Sequence, residues 1–247
     1  MPATFRHLEP VQSACSRCSL AHLCLPYGLD ADDIERLESL VDVGVSIQRG
    51  EELFAQGDAL NAIYAVGAGA MKTSVVDAEG LEQIMGFYYP GDLLGLDGLG
   101  DNIHHCRAAA LEKTRICRIP FDRFDQLVDD VPGLRRQLMR LMSQALSADE
   151  QLLLTLGRKS SEGRIATLLL SLSRRRQMRG LSASPVRLSM KRTELANFLG
   201  MRIETVSRVL RRLQECNIVA VQRSDVDILD FDGLEARAAR GAWVADQ

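Results

Sequence analysis

The stretch that decides the fold reads Lys191-Arg-Thr-Glu-Leu-Ala-Asn-Phe-Leu-Gly-Met201 and continues Arg202-Ile-Glu-Thr-Val-Ser-Arg-Val-Leu-Arg-Arg-Leu213. It predicts a short helix, a turn at Gly200 and a second helix, which is the spacing of a helix-turn-helix motif. Apolar side chains of both helices can form a small shared core, namely Leu195, Ala196, Leu199, Val206, Val209, Leu210 and Leu213. The first turns of the second helix offer Glu204, Ser207 and Arg208, residue types that bond to base edges in the major groove of DNA.

The charge of the chain is distributed unevenly around this motif. Residues 158–223 hold 15 basic and 4 acidic residues, a net charge of +11, whereas residues 1–157 hold 13 basic and 23 acidic residues, a net charge of −10. Such a cationic block is typical of polyanion binding, although a solvated arginine-rich helical face gives the same count. Together with the motif it favours double-stranded DNA as the partner, with Lys191 and Arg192 as phosphate contacts. Weak alternation over residues 218–229 predicts a two-stranded wing, so that residues 158–247 form a winged helix-turn-helix domain.

Residues 134–157 predict a long helix that pairs two copies of the chain. One stripe recurs at alternating spacings of three and four residues, as in a coiled-coil seam, and is made of Met142, Leu146, Asp149, Leu153 and Leu156. A second apolar stripe contains Leu138, Leu141, Ala145 and Leu152. A helix that is apolar on two sides needs two partners, so we expect a homodimer. The alternative is burial of the seam against the barrel of the same chain.

Asp149 is the unexpected residue of this seam. In a symmetric dimer it faces its own twin, and like charges at a seam weaken the dimer. One interpretation is a deliberate weakening, so that assembly needs a second contribution such as a bound cofactor. The other interpretation is a slightly rotated and solvated carboxylate.

Residues 30–133 show short alternating apolar runs separated by Gly, Asp and Pro, the pattern of an antiparallel β jelly roll. Asp30 is expected to cap a first short helix, and a second is expected over residues 121–128, ended by Pro132-Gly133. The predicted fold class is therefore α+β: an N-terminal antiparallel β jelly-roll sensor domain, a long dimerisation helix and a C-terminal winged helix-turn-helix.

Residues 1–29 form a cysteine-rich segment with Cys15, Cys18 and Cys24 spaced as C-x2-C-x5-C. Clustered thiolates suit an iron–sulfur cluster or zinc, and both need a fourth ligand. His22 completes a zinc site on paper, and free thiols are the third interpretation. Cys106, Cys117 and Cys216 remain as further candidates.

Composition limits the function further. The 247 residues are 46% apolar and 26% charged, ordinary values for a globular protein. No run is long enough to cross a membrane, and no secretory signal is recognisable, so a cytoplasmic location is expected. No phosphate loop, nucleophile elbow or pair of catalytic carboxylates stands out, so we do not expect an enzyme.

The run Leu199-Gly-Met-Arg-Ile-Glu-Thr-Val-Ser-Arg-Val-Leu210 resembles the recognition helix of the CRP/FNR superfamily of bacterial transcription regulators. Barrel, long helix and helix-turn-helix follow one another in that family's order, and the resemblance covers essentially the whole chain. The cysteine spacing resembles the FNR branch, whose oxygen-responsive members bind a [4Fe–4S] cluster. The run Arg115-Ile-Cys-Arg-Ile-Pro-Phe121 resembles the part of that branch which carries the fourth ligand. The resemblance thus implies ligation by Cys15, Cys18, Cys24 and Cys117, and leaves Cys106 and Cys216 without a role.

Nucleotide-binding members of the superfamily resemble one another in a Gly-Glu-Leu turn and an Arg-Ser pair for the cyclic phosphate. Here the turn reads Gly91-Asp-Leu93, and His104-His-Cys-Arg-Ala108 stands in place of the pair. A cyclic-nucleotide sensor is therefore disfavoured, although Arg107 can still meet a phosphate. A haem sensor that uses His104 or His105 is a further alternative.

The FNR resemblance implies a regulator that binds TTGAT-like half-sites as a homodimer while its cluster is intact, with Glu204, Ser207 and Arg208 as base readers. It also implies contact with RNA polymerase, for which the turn from Val76 to Glu82 is a candidate.

Overall fold

The computed structural model describes residues 15–239 and Gly241. The chain divides into two compact units, residues 1–144 and residues 145–247. The boundary falls inside one long helix, so each unit is described by itself. In the described ranges, no helix is both long enough and apolar enough to cross a membrane.

The first unit is built on eight strands, which are β1 Asp42–Ile47, β2 Glu52–Phe54, β3 Ala62–Ala68, β4 Met71–Val76, β5 Glu82–Tyr88, β6 Leu93–Leu94, β7 Arg107–Ala110 and β8 Thr114–Pro120. They form two antiparallel sheets of four strands each, ordered β1-β8-β3-β6 and β2-β7-β4-β5. This order is that of an eight-stranded jelly roll and confirms the predicted antiparallel barrel.

Two apolar cores stabilise this unit. One fills the barrel between the sheets and includes Phe54, Met71 and Ile116. The other lies between the barrel and three helices, α1 Ala31–Glu38, α2 Phe121–Asp130 and the first turns of α3 Pro132–Arg158. Asp30 caps α1 by accepting from the Asp33 N–H at 2.9 Å, as predicted.

The expectation that Pro132-Gly133 ends the second helix is wrong. α2 already ends at Asp130, and Pro132 is the first residue of α3. Proline is well tolerated in the first turn of a helix, because the N–H that it lacks would have no partner there, and its fixed φ suits the helix. The proline therefore starts the long helix two residues before the predicted position.

The second unit contains the predicted winged helix-turn-helix. α5 Arg192–Phe198 and α6 Ile203–Glu215 flank a turn in which Gly200 has φ +60°, and all seven predicted core residues of this hairpin are buried. α4 Ser161–Met178 and α7 Phe231–Ala239 pack together beside it. The wing strands β10 Val219–Gln222 and β11 Asp225–Ile228 pair as predicted, and β9 Val186–Arg187 adds an unpredicted third strand.

The turn between β3 and β4 depends on Gly69. Its φ is +87°, and a Cβ at this position would lie 2.6 Å from Thr114 Oγ1 and 2.8 Å from the carbonyl oxygen of Lys113. Thr114 is fully buried, and its hydroxyl both donates to the carbonyl of Ala70 and accepts from the Ala70 N–H. A residue with a Cβ at position 69 would therefore clash with Thr114 and Lys113, and neither neighbour can move away easily.

We expect Gly69→Ala to lower the free energy of unfolding of the barrel by about 2–5 kcal/mol, since it adds overpacking to a left-handed backbone. Gly80→Ala is the matched control, because Gly80 has a similar φ of +81° with nothing near its missing Cβ. The free energy of unfolding of that variant should fall by only about 1–2 kcal/mol, the cost of placing a Cβ on a left-handed backbone. Denaturant unfolding of both variants measures the difference, and equal losses would contradict the packing argument.

Candidate functional site

Four cysteines meet at one cavity of about 250 Å³ in the first unit. Cys15 lies in a short 3-10 turn, Cys18 and Cys24 lie in the turns that follow, and Cys117 lies in strand β8. Cys117 is held between two neighbours, since it pairs with Val43 of β1 and with Ala65 of β3. All four cysteines carry free thiols, and all four are partly buried.

Hydrogen bonds and apolar packing hold the cysteine segment in place. The Cys18 N–H donates to the carbonyl of Cys15 at 3.3 Å, and the Cys24 N–H donates to that of Leu20 at 3.1 Å. Leu25 is 1% exposed and belongs to the same core cluster as Leu134 of α3. The segment therefore packs against the barrel and against the start of the long helix together.

Burial favours the protonated form of three of these thiols, those of Cys15, Cys24 and Cys117. Burial raises the pKa of Cys15 and of Cys24 to about 12, and charge on the neighbouring thiols raises both further. Burial also raises the pKa of Cys117, which the nearby Arg115 partly counteracts. Metal ligation requires thiolates, so loading of this site must release protons and is favoured as the pH rises.

The cavity offers four cysteines, which is the number of thiolates that commonly hold an iron–sulfur cluster. In the described part of the chain, no three His, Cys, Asp or Glu side chains are grouped closely enough to hold one metal ion. His22 is exposed and does not line the cavity, and neither Cys106 nor Cys216 lies there.

Gln137 is a residue that the sequence did not single out. It is 4% exposed, and its Nε2 donates to the carbonyl oxygen of Cys24 at 2.9 Å. Its Oε1 accepts from Arg140 Nε at 3.0 Å, and the Arg140 guanidinium lies 4.2 Å above the ring of Tyr27. This clasp of Cys24, Gln137, Arg140 and Tyr27 fastens one ligand-bearing turn to α3. A polar residue next to apolar Leu138 was its one sequence signal.

The seam predicted on α3 is largely exposed in the single chain. Leu146 is 62% exposed and Leu153 is 70% exposed, with Met142 and Asp149 also on the surface. Leu156 is half-buried. In the second stripe, Leu138 and Leu141 pack on the helix–barrel core, whereas Ala145 is exposed.

The predicted base readers lie exposed on the first turns of α6. They are Glu204, Ser207 and Arg208. The hydroxyl of Ser207 donates to the carbonyl of Ile203 at 3.1 Å, which leaves its oxygen free to accept from a base. The two predicted phosphate contacts differ in exposure. Lys191 is exposed at the N-terminus of α5, whereas Arg192 is half-buried and its Nη1 has no hydrogen-bond partner among the described residues.

Arg164 fixes the position of this motif in the second unit. Its Nη2 donates to the carbonyl of Leu156 at 2.6 Å, and its Nη1 donates to those of Leu199 at 2.8 Å and Gly200 at 3.3 Å. One guanidinium thus joins the end of α3 to the helix-turn-helix turn. The sequence did not single this residue out, because carbonyl partners carry no side-chain signature.

Two family models match the chain. The Crp-like helix-turn-helix domain matches residues 163–237, and the cyclic nucleotide-binding domain matches residues 44–130. Among solved structures, that of FixK2 from Bradyrhizobium japonicum has a TM-score of 0.74 and 26% identity, and covers 81% of this chain and 100% of that one.

Curated relatives match over most of their length. The transcriptional activator protein Anr of Pseudomonas protegens is 47% identical over 219 residues, which are 89% of this chain and 90% of that protein. The fumarate and nitrate reduction regulatory protein of Escherichia coli is 38% identical over 231 residues, 94% of this chain and 92% of that protein. These relatives are transcription regulators and not enzymes, which agrees with the expectation from composition. The chain belongs to the CRP/FNR family of transcription regulators.

Proposed function

We propose that this chain is an oxygen-sensing transcription regulator, which binds two-fold symmetric DNA as a homodimer while Cys15, Cys18, Cys24 and Cys117 hold a [4Fe–4S] cluster. The observation that supports this most strongly is the meeting of these four free thiols at one cavity. When bound, the cluster supplies an iron centre that reacts with oxygen. The names of the Anr and fumarate and nitrate reduction relatives fit regulation of this kind.

The residues around the cavity give the site two properties. The turns from Cys15 to Cys24 form one wall and strand β8 forms the other, so a group ligated by both walls joins the segment to the barrel. Burial favours the protonated thiols, so an empty site keeps no cluster of negative charges in the core. Loss of the bound group therefore removes the joint without leaving buried thiolates behind.

The clasp at Gln137 extends this joint to the dimerisation helix. It connects the backbone of a ligand, Cys24, to the second and third turns of α3. A fixed position of the cysteine segment thereby helps to fix the turns of α3 that precede the seam. We infer that this coupling lets the ligated segment favour pairing of two copies despite Asp149.

In the dimer, two copies of α6 present Glu204, Ser207 and Arg208 to successive major grooves of TTGAT-like half-sites about one helical turn apart. The exposed Lys191 adds a phosphate contact to the cationic surface of this unit. The β4–β5 hairpin between Val76 and Glu82 presents Leu81, which is 67% exposed, as a contact for RNA polymerase in the cytoplasm.

The alternatives fit the described residues less well. A haem ligand at His104 is disfavoured because this ring is 1% exposed, stacks on Phe54 and hydrogen-bonds to Asp97. The guanidinium of Arg107, the remaining candidate for a cyclic phosphate, is bound to Ser74, Glu52 and Glu82. A zinc site would need a tighter grouping of ligands than the described residues provide.

The deciding experiment measures iron, the absorbance spectrum and sedimentation on protein purified without oxygen, before and after exposure to air. We expect a coloured iron-containing dimer that becomes a colourless monomer in air. Cys117→Ala should not retain iron, whereas Cys106→Ala should, because Cys106 lies outside the cavity. Bound zinc without colour, or retention of iron by Cys117→Ala together with its loss by Cys106→Ala, would contradict the proposal.

Arg208→Ala should cost about 1–3 kcal/mol of discrimination at one G·C pair of each half-site, the scale of a bidentate contact to guanine. Lys191→Ala is the control, because the loss of a phosphate contact weakens binding to all sequences alike and lowers the salt slope by about 1. Binding titrations on matched and substituted sites at several salt concentrations separate the two effects. An equal loss on every site for Arg208→Ala would show that it contacts only the DNA backbone.

Asp149→Ala should dimerise and bind DNA in air without a cluster. The substitution removes two facing carboxylates from the seam and leaves a good helix former. Sedimentation should show at least a tenfold tighter dimer, equivalent to about 1.4 kcal/mol. Glu150→Ala is the control, because Glu150 is an exposed neighbour off the seam. A monomer, at concentrations where the oxygen-free parent is dimeric, would mean that Asp149 is merely solvated.

The same residue predicts a pH effect on the parent. Partial burial already raises the pKa of Asp149 above its ordinary value in the single chain. Pairing of two copies at the proposed seam would bury this carboxylate further. The dimer therefore binds this proton more tightly than the monomer, so dimerisation strengthens as the pH falls. Asp149→Ala should lose this contribution, which sedimentation over a pH series measures.

A further inference from the structure

Asp97 lies in the loop between β6 and β7, and several donors converge on its carboxylate. Oδ2 accepts from the backbone N–H of His105 at 2.8 Å, from that of Cys106 at 3.2 Å and from the Cys106 thiol at 3.3 Å. Oδ1 lies 3.3 Å from Nδ1 of His104. Three consecutive residues thus direct four polar groups at one anion.

His104, the first of these residues, is held in place by contacts that do not involve Asp97. The His104 N–H donates to the carbonyl of Asp58 at 2.8 Å, and the His104 carbonyl accepts from the Gly57 N–H at 2.8 Å. The His104 ring stacks on Phe54 with centroids 3.6 Å apart and planes 6° from parallel. The loop is therefore anchored on the barrel at His104 by contacts that do not involve the carboxylate.

Successive backbone N–H groups aimed at one point form an anion-binding concavity, the arrangement that proteins use for phosphate groups. This one lies within residues 44–130, which match the cyclic nucleotide-binding domain. The Asp97 side chain is 24% exposed, so solvent reaches the position that it fills. A small oxyanion from solution would find the same donors if the carboxylate were absent.

We propose that His104, His105 and Cys106 form an oxyanion seat in the barrel and that Asp97 is its built-in ligand. The carboxylate occupies the place where a phosphate or carboxylate of a free ligand would bind. The donors of the loop are thereby satisfied by a side chain of the same protein, and the loop is ordered without a bound metabolite. This inference concerns the barrel alone and does not depend on the cluster or on DNA binding.

The Asp97 carboxylate is charged at neutral pH. Its hydrogen bonds and the nearby His104 outweigh partial burial and lower its pKa to about 2. The same carboxylate and burial raise the pKa of the Cys106 thiol, so this cysteine stays protonated and acts as a donor. Because the carboxylate already occupies these donors, a free anion cannot bind to them in the parent protein.

The test is chemical rescue of Asp97→Ala in the full chain. The variant should unfold at a lower temperature than the parent, and acetate, which replaces the missing carboxylate, should raise its melting midpoint in a saturable manner. Inorganic phosphate and cyclic AMP serve as further probes of the emptied seat. Sodium chloride at equal ionic strength is the reference for each salt.

Asp101→Ala is the matched control, because Asp101 belongs to the same loop and bonds the exposed ring of His105 outside the seat. The parent and this control should respond to acetate and phosphate no more than to chloride. A saturable response of the parent would show that Asp97 does not fill the seat. A response of Asp97→Ala equal to that in chloride for all three anions would also overturn the proposal.

If Asp97→Ala does not fold in chloride, the yield of refolded protein becomes the measurement. A higher yield in acetate or phosphate than in chloride supports the seat, and equal yields overturn it. Asp97→Asn offers a second check, because it keeps the shape of the side chain and removes the charge. It should melt below the parent and gain less from acetate than Asp97→Ala, since its amide still blocks the seat.

Discussion

The packing of the cysteine segment onto the helix–barrel core is the interaction on which the rest of the structure depends. Leu25 fills this core together with Phe124 and Leu134, residues from three separate parts of the chain. Each fully buried side chain of this size contributes about 1.5–3 kcal/mol. Because Cys24 directly precedes Leu25, the apolar packing determines where the thiols can lie, and the cavity follows from it.

This arrangement places sulfur chemistry in a hydrophobic site. Three of the four thiols have raised pKa values, chiefly through burial, so these three are protonated at neutral pH when no metal is bound. A metal centre bound by these thiols would replace their protons. The burial that makes the thiols poor nucleophiles would also make occupancy of the site a large local change in charge.

The sequence predicted those features that have a period or a spacing. The helix-turn-helix was found because its apolar residues recur with the helical period, and the barrel because its strands alternate between clear turn residues. Strand β9 was missed, since two residues carry no periodicity, and Pro132 was misplaced because proline both ends and begins helices. Cys117 could be chosen over Cys106 only through family resemblance. The roles of Gln137, Arg164 and Asp97 could not be predicted, because each binds backbone groups whose positions the fold alone determines.

The hydrogen bonds of Arg164 affect how the second unit unfolds locally. Its guanidinium satisfies carbonyl groups that the end of α3 and the turn after α5 would otherwise leave to water. Both ends depend on hydrogen bonds from the same guanidinium. Fraying of one end therefore weakens the hold on the other, and we expect their amides to lose protection from hydrogen exchange together. The turn before the recognition helix thereby belongs to the same cooperative unfolding unit as the last turn of the long helix, although more than 40 residues of chain separate Leu156 from Gly200.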